Sequence, residues 1–82
     1  MGTKKIKIFY YAILREQARR NEEILETKAL TALELFEELK GKYSFSISKD
    51  KVRLAINNSF CDWKAAIKTG DEVVFIPPVA GG

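Results

Sequence analysis

Thr69-Gly70-Asp71-Glu72-Val73-Val74-Phe75-Ile76-Pro77-Pro78-Val79-Ala80-Gly81-Gly82 is the stretch on which the reading of this chain turns. Thr69-Gly70-Asp71 has the composition of a tight turn. Glu72 to Ile76 is a short apolar run between a turn and a proline pair, which predicts a strand. Pro77 and Pro78 fix φ and stiffen the exit. Gly81 and Gly82 carry no Cβ, so they take backbone angles closed to other residues and fit a narrow channel. A strand feeding a thin tail suits delivery of a terminal atom, the Gly82 carboxylate, to another protein's active site. Terminal carboxylates are known handles for protein partners. Residues 78–82 are therefore read as a flexible tail on a domain spanning residues 1–77. The plain alternative is a frayed end.

Towards the N-terminus, Lys5 to Tyr11 alternates and predicts a strand. Ile6, Ile8 and Tyr10 share one face; Lys5, Lys7, Phe9 and Tyr11 share the other. Ala12 to Arg19 places Ile13, Leu14, Gln17 and Ala18 at helical spacing, and Glu23 to Thr27 reads as a second strand paired back on the first. Thr31-Ala32-Leu33-Glu34 is a capping box, with Leu30 and Leu35 at the two positions of a hydrophobic staple. The helix it opens carries Ala32, Leu35, Phe36 and Leu39 on one face and runs to about Lys40, with Gly41 as its terminator. Tyr43 to Lys49 is a loop anchored by Phe45 and Ile47. Lys51 to Asn57 is a third strand with Val52, Leu54 and Ile56 inward. Asn57-Asn58 is turn chemistry, and Ser59 to Trp63 contributes a short edge strand. The fold class is α+β, a sheet with one main helix across one face. The opposite face should be polar, yet it carries Phe9, Tyr11 and either Val74 or Ile76.

Composition narrows the function. Eighty-two residues make one domain. An apolar fraction of 46% is that of a globular chain rather than a disordered one. The net charge of +3 arises from interspersed lysines, arginines and acids, a solvated surface rather than a nucleic-acid footprint. No apolar run approaches the ~20 residues of a membrane span. Histidine is absent and Cys61 is the single cysteine, so no zinc site of known spacing can be built. No Gly-rich phosphate loop is present. A lone cysteine fits a reducing cytoplasm, and Cys61 is read as a small structural hydrophobe rather than a reactive thiol. The chain has little equipment for chemistry of its own and looks like a protein on which chemistry is done.

Three segments carry a resemblance that spans nearly the whole chain: Phe9-Tyr10-Tyr11-Ala12-Ile13-Leu14-Arg15-Glu16, Ala55-Ile56-Asn57, and Gly70-Asp71-Glu72-Val73 through the PPVAGG end. Together they resemble the molybdopterin synthase small subunits, sulfur carriers of the ubiquitin-like β-grasp superfamily. The resemblance implies a β-grasp fold and a cytoplasmic carrier. An E1-like activating enzyme, using ATP, adenylates the Gly82 carboxylate, which becomes a thiocarboxylate. The tail of Val79, Ala80 and Gly81 then threads into the large subunit. There the sulfur passes to a pterin precursor, in a catalytic pocket that belongs to the large subunit. The chain itself would bind no cofactor and no metal. Tyr11, Phe60 and Ile76 fall at positions that are apolar in the family and contact the large subunit. Parity supports this for Tyr11, because Ile6, Ile8 and Tyr10 already take the helix-facing side. Arg15 matches a basic position after the first strand, either a docking contact or a solvated side chain.

Other fates stay open at this point. The chain could serve thiamine or tRNA thiolation, or it could modify proteins through an isopeptide from Gly82 to lysine. A non-catalytic β-grasp binding module leaves the tail unexplained.

Overall fold

The computed structural model describes residues 2–78. Its elements are β1 (Lys4–Tyr10), α1 (Ala12–Ala18), β2 (Glu22–Thr27), α2 (Ala32–Tyr43), a 3-10 turn (Lys49–Lys51), β3 (Arg53–Ile56), β4 (Ser59–Phe60) and β5 (Glu72–Ile76). The sheet order is β2-β1-β5-β3-β4. β1 and β5 lie parallel at its centre, and the other pairs are antiparallel. With α2 across one face, this is the β-grasp arrangement.

Strand parity builds the core. Ile6, Ile8 and Tyr10 of β1 are buried, as are Val73 and Phe75 of β5 and Leu54 of β3. They meet Ala32, Leu35, Phe36 and Leu39, the apolar stripe of α2. Phe36 is the centrepiece, with ring centroids 5.1 Å from Trp63, 5.3 Å from Phe75 and 6.0 Å from Phe45. Aromatic pairs at such spacings add about 0.5–1.5 kcal/mol each beyond the area they bury. Helix α1 contributes Leu14 and Ala18 to the same core. Gln17 on α1 exchanges two hydrogen bonds with Ser46, its amide donating to Oγ at 2.9 Å and its carbonyl accepting the backbone N–H at 3.1 Å. These fasten α1 to the loop after α2.

Several expectations need correction. α2 runs through Gly41 to Tyr43 and ends on Ser44, which takes the left-handed conformation at φ 58°. The extra turn is held by Tyr43, which packs edge-on to Tyr10 and donates a hydrogen bond to Glu23 at 2.7 Å. The capping box forms in part: Thr31 Oγ1 accepts from Glu34 N–H, while Glu34 Oε1 accepts from Leu30 N–H, one residue before the N-cap. The hydrophobic staple does not form: Leu30 is 63% exposed while Leu35 is fully buried. β1 stops at Tyr10, because Ala12 turns the chain off the sheet with a left-handed φ of 51°. β3 begins at Arg53 rather than Lys51, since the preceding residues close the 3-10 turn. β4 is only two residues long; beyond it, Trp63 turns in against Phe36 and Phe75.

Candidate functional site

The outer face of the sheet, opposite α2, holds the candidate site. Directly paired residues share a face, and the register lays them out in rows. Phe60 pairs with Ala55, Ala55 with Val74, and Val74 with Phe9. One step along, Arg53 pairs with Ile76, and Tyr11 follows at the end of β1. Ala55 is the cause of the relief. A methyl group between larger neighbours leaves a depression of about 330 Å³, lined by Tyr11, Ala55, Asn58, Phe60, Val74 and Ile76. Tyr11 is 48% and Phe60 67% exposed, a concentration of apolar area unlike a solvated sheet face.

Two turns hold this face in shape. Asn57 and Asn58 both take positive φ, 53° and 72°, which is the two-residue hairpin geometry that asparagine tolerates. Asp71 is buried and ties that hairpin to β5. Its Oδ1 accepts from Asn57 Nδ2 and its Oδ2 from Lys68 N–H, while Asn57 Oδ1 accepts from Glu72 N–H. Gly70 at φ 92° makes the adjoining turn, a conformation strained for any residue with a Cβ. The Gly70-Asp71-Glu72 signature is thus the clip that ties the β3–β4 turn, and through it the edge strand bearing Phe60, to the start of β5.

Three of the four residues expected to contact a partner come together: Tyr11, Phe60 and Ile76 line one depression. Arg15 does not join them; it is exposed on α1. Val79, Ala80, Gly81 and Gly82 lie outside the described residues, whose last members are a buried Pro77 and an exposed Pro78 immediately after β5. The depression therefore borders the exit of the strand that leads to Gly82. Ala55, Asn58 and Arg53 were not read from sequence as residues of this face. The inward parity of Val52 and Leu54 already implied that Arg53 and Ala55 point out; their alignment with Ile76 and Phe60 required the register. Arg53 lies over the Phe60 ring, its guanidinium carbon 5.0 Å from the centroid, a contact of about 0.5–1 kcal/mol at an exposed position.

Cys61 is half-buried and packs against the core, and its backbone N–H donates to Leu54. Burial pushes its thiol up and the nearby Asp62 charge adds to this, against a backbone hydrogen bond that lowers it. A thiol held protonated is a poor nucleophile. Among the described residues no group of His, Cys, Asp and Glu side chains could hold a metal ion, and no helix is long and apolar enough to cross a membrane.

Known proteins match this arrangement. Residues 8–82 match the model of the ThiS family. The molybdopterin synthase sulfur carrier subunit of Haemophilus influenzae is 35% identical over 94% of this chain and 99% of its own length. A putative molybdopterin converting factor subunit 1 from Pyrococcus furiosus superposes with a TM-score of 0.78 at 30% identity, over 93% of this chain and 99% of that one. A chain of the complex of subunits 1 and 2 of the molybdopterin-converting factor from Helicobacter pylori shares the fold at a TM-score of 0.65 and 22% identity, over 95% of this chain and 99% of that one. The chain belongs to the ThiS family and, within it, to the sulfur carrier subunits of molybdopterin synthase.

Proposed function

We propose that this chain carries sulfur as a thiocarboxylate on Gly82 and delivers it inside a two-subunit molybdopterin synthase, docking through the depression of Tyr11, Phe60 and Ile76. The observation that carries the reading is that the family match extends through Gly82, while β5 leads towards that residue past the apolar depression. The site on this chain is a surface and a tail; the large subunit supplies the pocket and binds the pterin precursor. The setting is the cytoplasm, where a lone cysteine stays reduced.

The chemistry follows from the carboxylate. As it stands it resists sulfur nucleophiles, because its charge repels them and oxide is a poor leaving group. Attack of the Gly82 carboxylate on ATP, bound by an activating partner, releases pyrophosphate and leaves an acyl-adenylate. A sulfide-equivalent nucleophile displaces AMP and leaves the thiocarboxylate. Splitting one difficult substitution into two easier ones is the logic of covalent catalysis. Docking then fixes the sulfur beside its acceptor, and the gain is one of orientation.

Incubated with its activating enzyme, ATP and a sulfur source, the chain should gain the mass of one oxygen exchanged for sulfur, on the peptide containing Gly82. Adding the large subunit and the pterin precursor should return the free carboxylate. Deleting Gly82 should abolish the mass change and leave thermal melting unaltered. Accumulation of lysine conjugates in extract, with a charged form that survives the large subunit and precursor, would replace this reading with a protein modifier.

A further inference from the structure

The docking face has a charged corner. Arg53 stands directly opposite Ile76 in the register and lies on the ring of Phe60, at the rim of the depression. Its side chain is exposed. The outward cation Lys7 of β1 pairs with Glu22 at 3.4 Å, and the other ion pairs among the described residues join Arg20 and Lys42 to Glu23. Arg53 takes part in none of these and makes no side-chain hydrogen bond among the described residues. The aromatic ring supports the guanidinium and restricts its rotamers, so less freedom is lost when it binds. Arginine and aromatic side chains at the edge of a small apolar patch are the residue types that anchor protein interfaces.

We propose that Arg53 is a specificity-determining contact of this face. Seated on Phe60, it presents its fork of N–H donors to a carboxylate of the partner subunit. The partner that fits has an apolar projection to fill the depression and an acid beside it, next to the opening that takes the tail. A partner with a lysine or arginine at that point is rejected by like charge, which gives the face a way to discriminate among enzymes that handle diglycine tails. The inference rests on the outer face being the docking surface, and its test separates the two claims.

The chain is titrated calorimetrically with the large subunit of molybdopterin synthase from the same organism, from about 0.05 M to about 1 M salt, a range over which the Debye length shrinks several-fold. The variants are Arg53→Leu, Arg53→Glu, Ile76→Lys and, on the exposed side of α2, Lys40→Glu. Circular dichroism checks that each is folded. Arg53→Leu should bind about tenfold more weakly at low salt and lose most of its salt dependence. Arg53→Glu should be weaker still at low salt and partly recover at high salt. Lys40→Glu should bind as the parent does. If both Arg53 variants match the parent while Ile76→Lys fails, the face docks and the role of Arg53 is overturned. Arg53→Leu weakened equally at every salt concentration also overturns it, because the loss is then one of packing. Should Ile76→Lys bind as well as the parent, the docking surface itself lies elsewhere and both claims fall.

Discussion

Glu23 lies on the inner face of β2, opposite Ile8, where an acid has no evident reason to be. Both tyrosine hydroxyls of the core rim donate to it, Tyr10 from β1 and Tyr43 from the last turn of α2. Arg20 and Lys42 flank the same carboxylate at 3.2 Å and 4.0 Å. Burial pulls Glu23 upward, but the two hydroxyls and the two cations outweigh it and hold the carboxyl below its ordinary 4.5. Burial first, and then the Glu23 hydrogen bond, push Tyr43 up to about 12, and Tyr10 is raised for the same reasons. The signs are opposite at the two ends of the pH scale. The Glu23 contribution is present above the ordinary glutamate value and is lost as pH falls through the lowered one. The tyrosine contributions are present below pH 10 and are lost as pH rises from there. Glu23→Gln should cost about 1–2 kcal/mol at neutral pH, because charge-assisted hydrogen bonds become neutral ones. It should also flatten the acid limb of a stability profile measured by urea unfolding; an unchanged acid limb would show that other carboxylates set it. The burial of Tyr10 was legible from strand alternation. Its partner was not, because nothing local distinguishes Glu23 from Glu22 until β2 is placed in register with β1.

At the scale of the element, α2 shows where local signals win and where they lose. Thr31 and Glu34 sit three residues apart and between them satisfy the N–H groups of Glu34 and Leu30, so the helix start was readable from local signals, and the N–H groups of Ala32 and Leu33 are completed by the carbonyls of Ala65 and Trp63. The end depends on distant partners. Gly41 costs roughly 1 kcal/mol inside a helix relative to alanine, and the contacts of Tyr43 with Tyr10, Phe45 and Glu23 outweigh that. The stop then falls on Ser44, which bears the left-handed turn although it has a Cβ. Ser44 is exposed and its side chain makes no hydrogen bond among the described residues. Ser44→Gly should therefore stabilise the protein by about 0.5–1 kcal/mol, the size of the conformational penalty removed less the added freedom of the unfolded chain. Thermal melting would check it, and a lowered midpoint would show that the φ of Ser44 is not a burden.

Across the whole molecule, parity marked Tyr11 and either Val74 or Ile76 as out of place on the outer face, and Phe60 came from the family resemblance alone; none of this made them a single place. Alternation says which side a residue faces; only the strand order β2-β1-β5-β3-β4 brings Tyr11, just past β1, beside the last residues of β4 and β5. The same order has a mechanical meaning. β5 is gripped on both flanks, by β1 running parallel and by β3 running antiparallel. A pull between residue 3 and residue 78 drags β1 and β5 in opposite directions along their lengths. Every ladder bond between them, lying across the strands, is then strained at once. A pull between residues 3 and 28 instead opens the β1–β2 pair from the end where Lys4 faces Thr27, one bond at a time. Single-molecule extension should record a higher rupture force for the first geometry than for the second, and equal forces would contradict the parallel central pair. A chain drawn out between its two ends is thus held in shear, and the pull that reaches it through β5 meets the whole β1–β5 ladder rather than one bond of it.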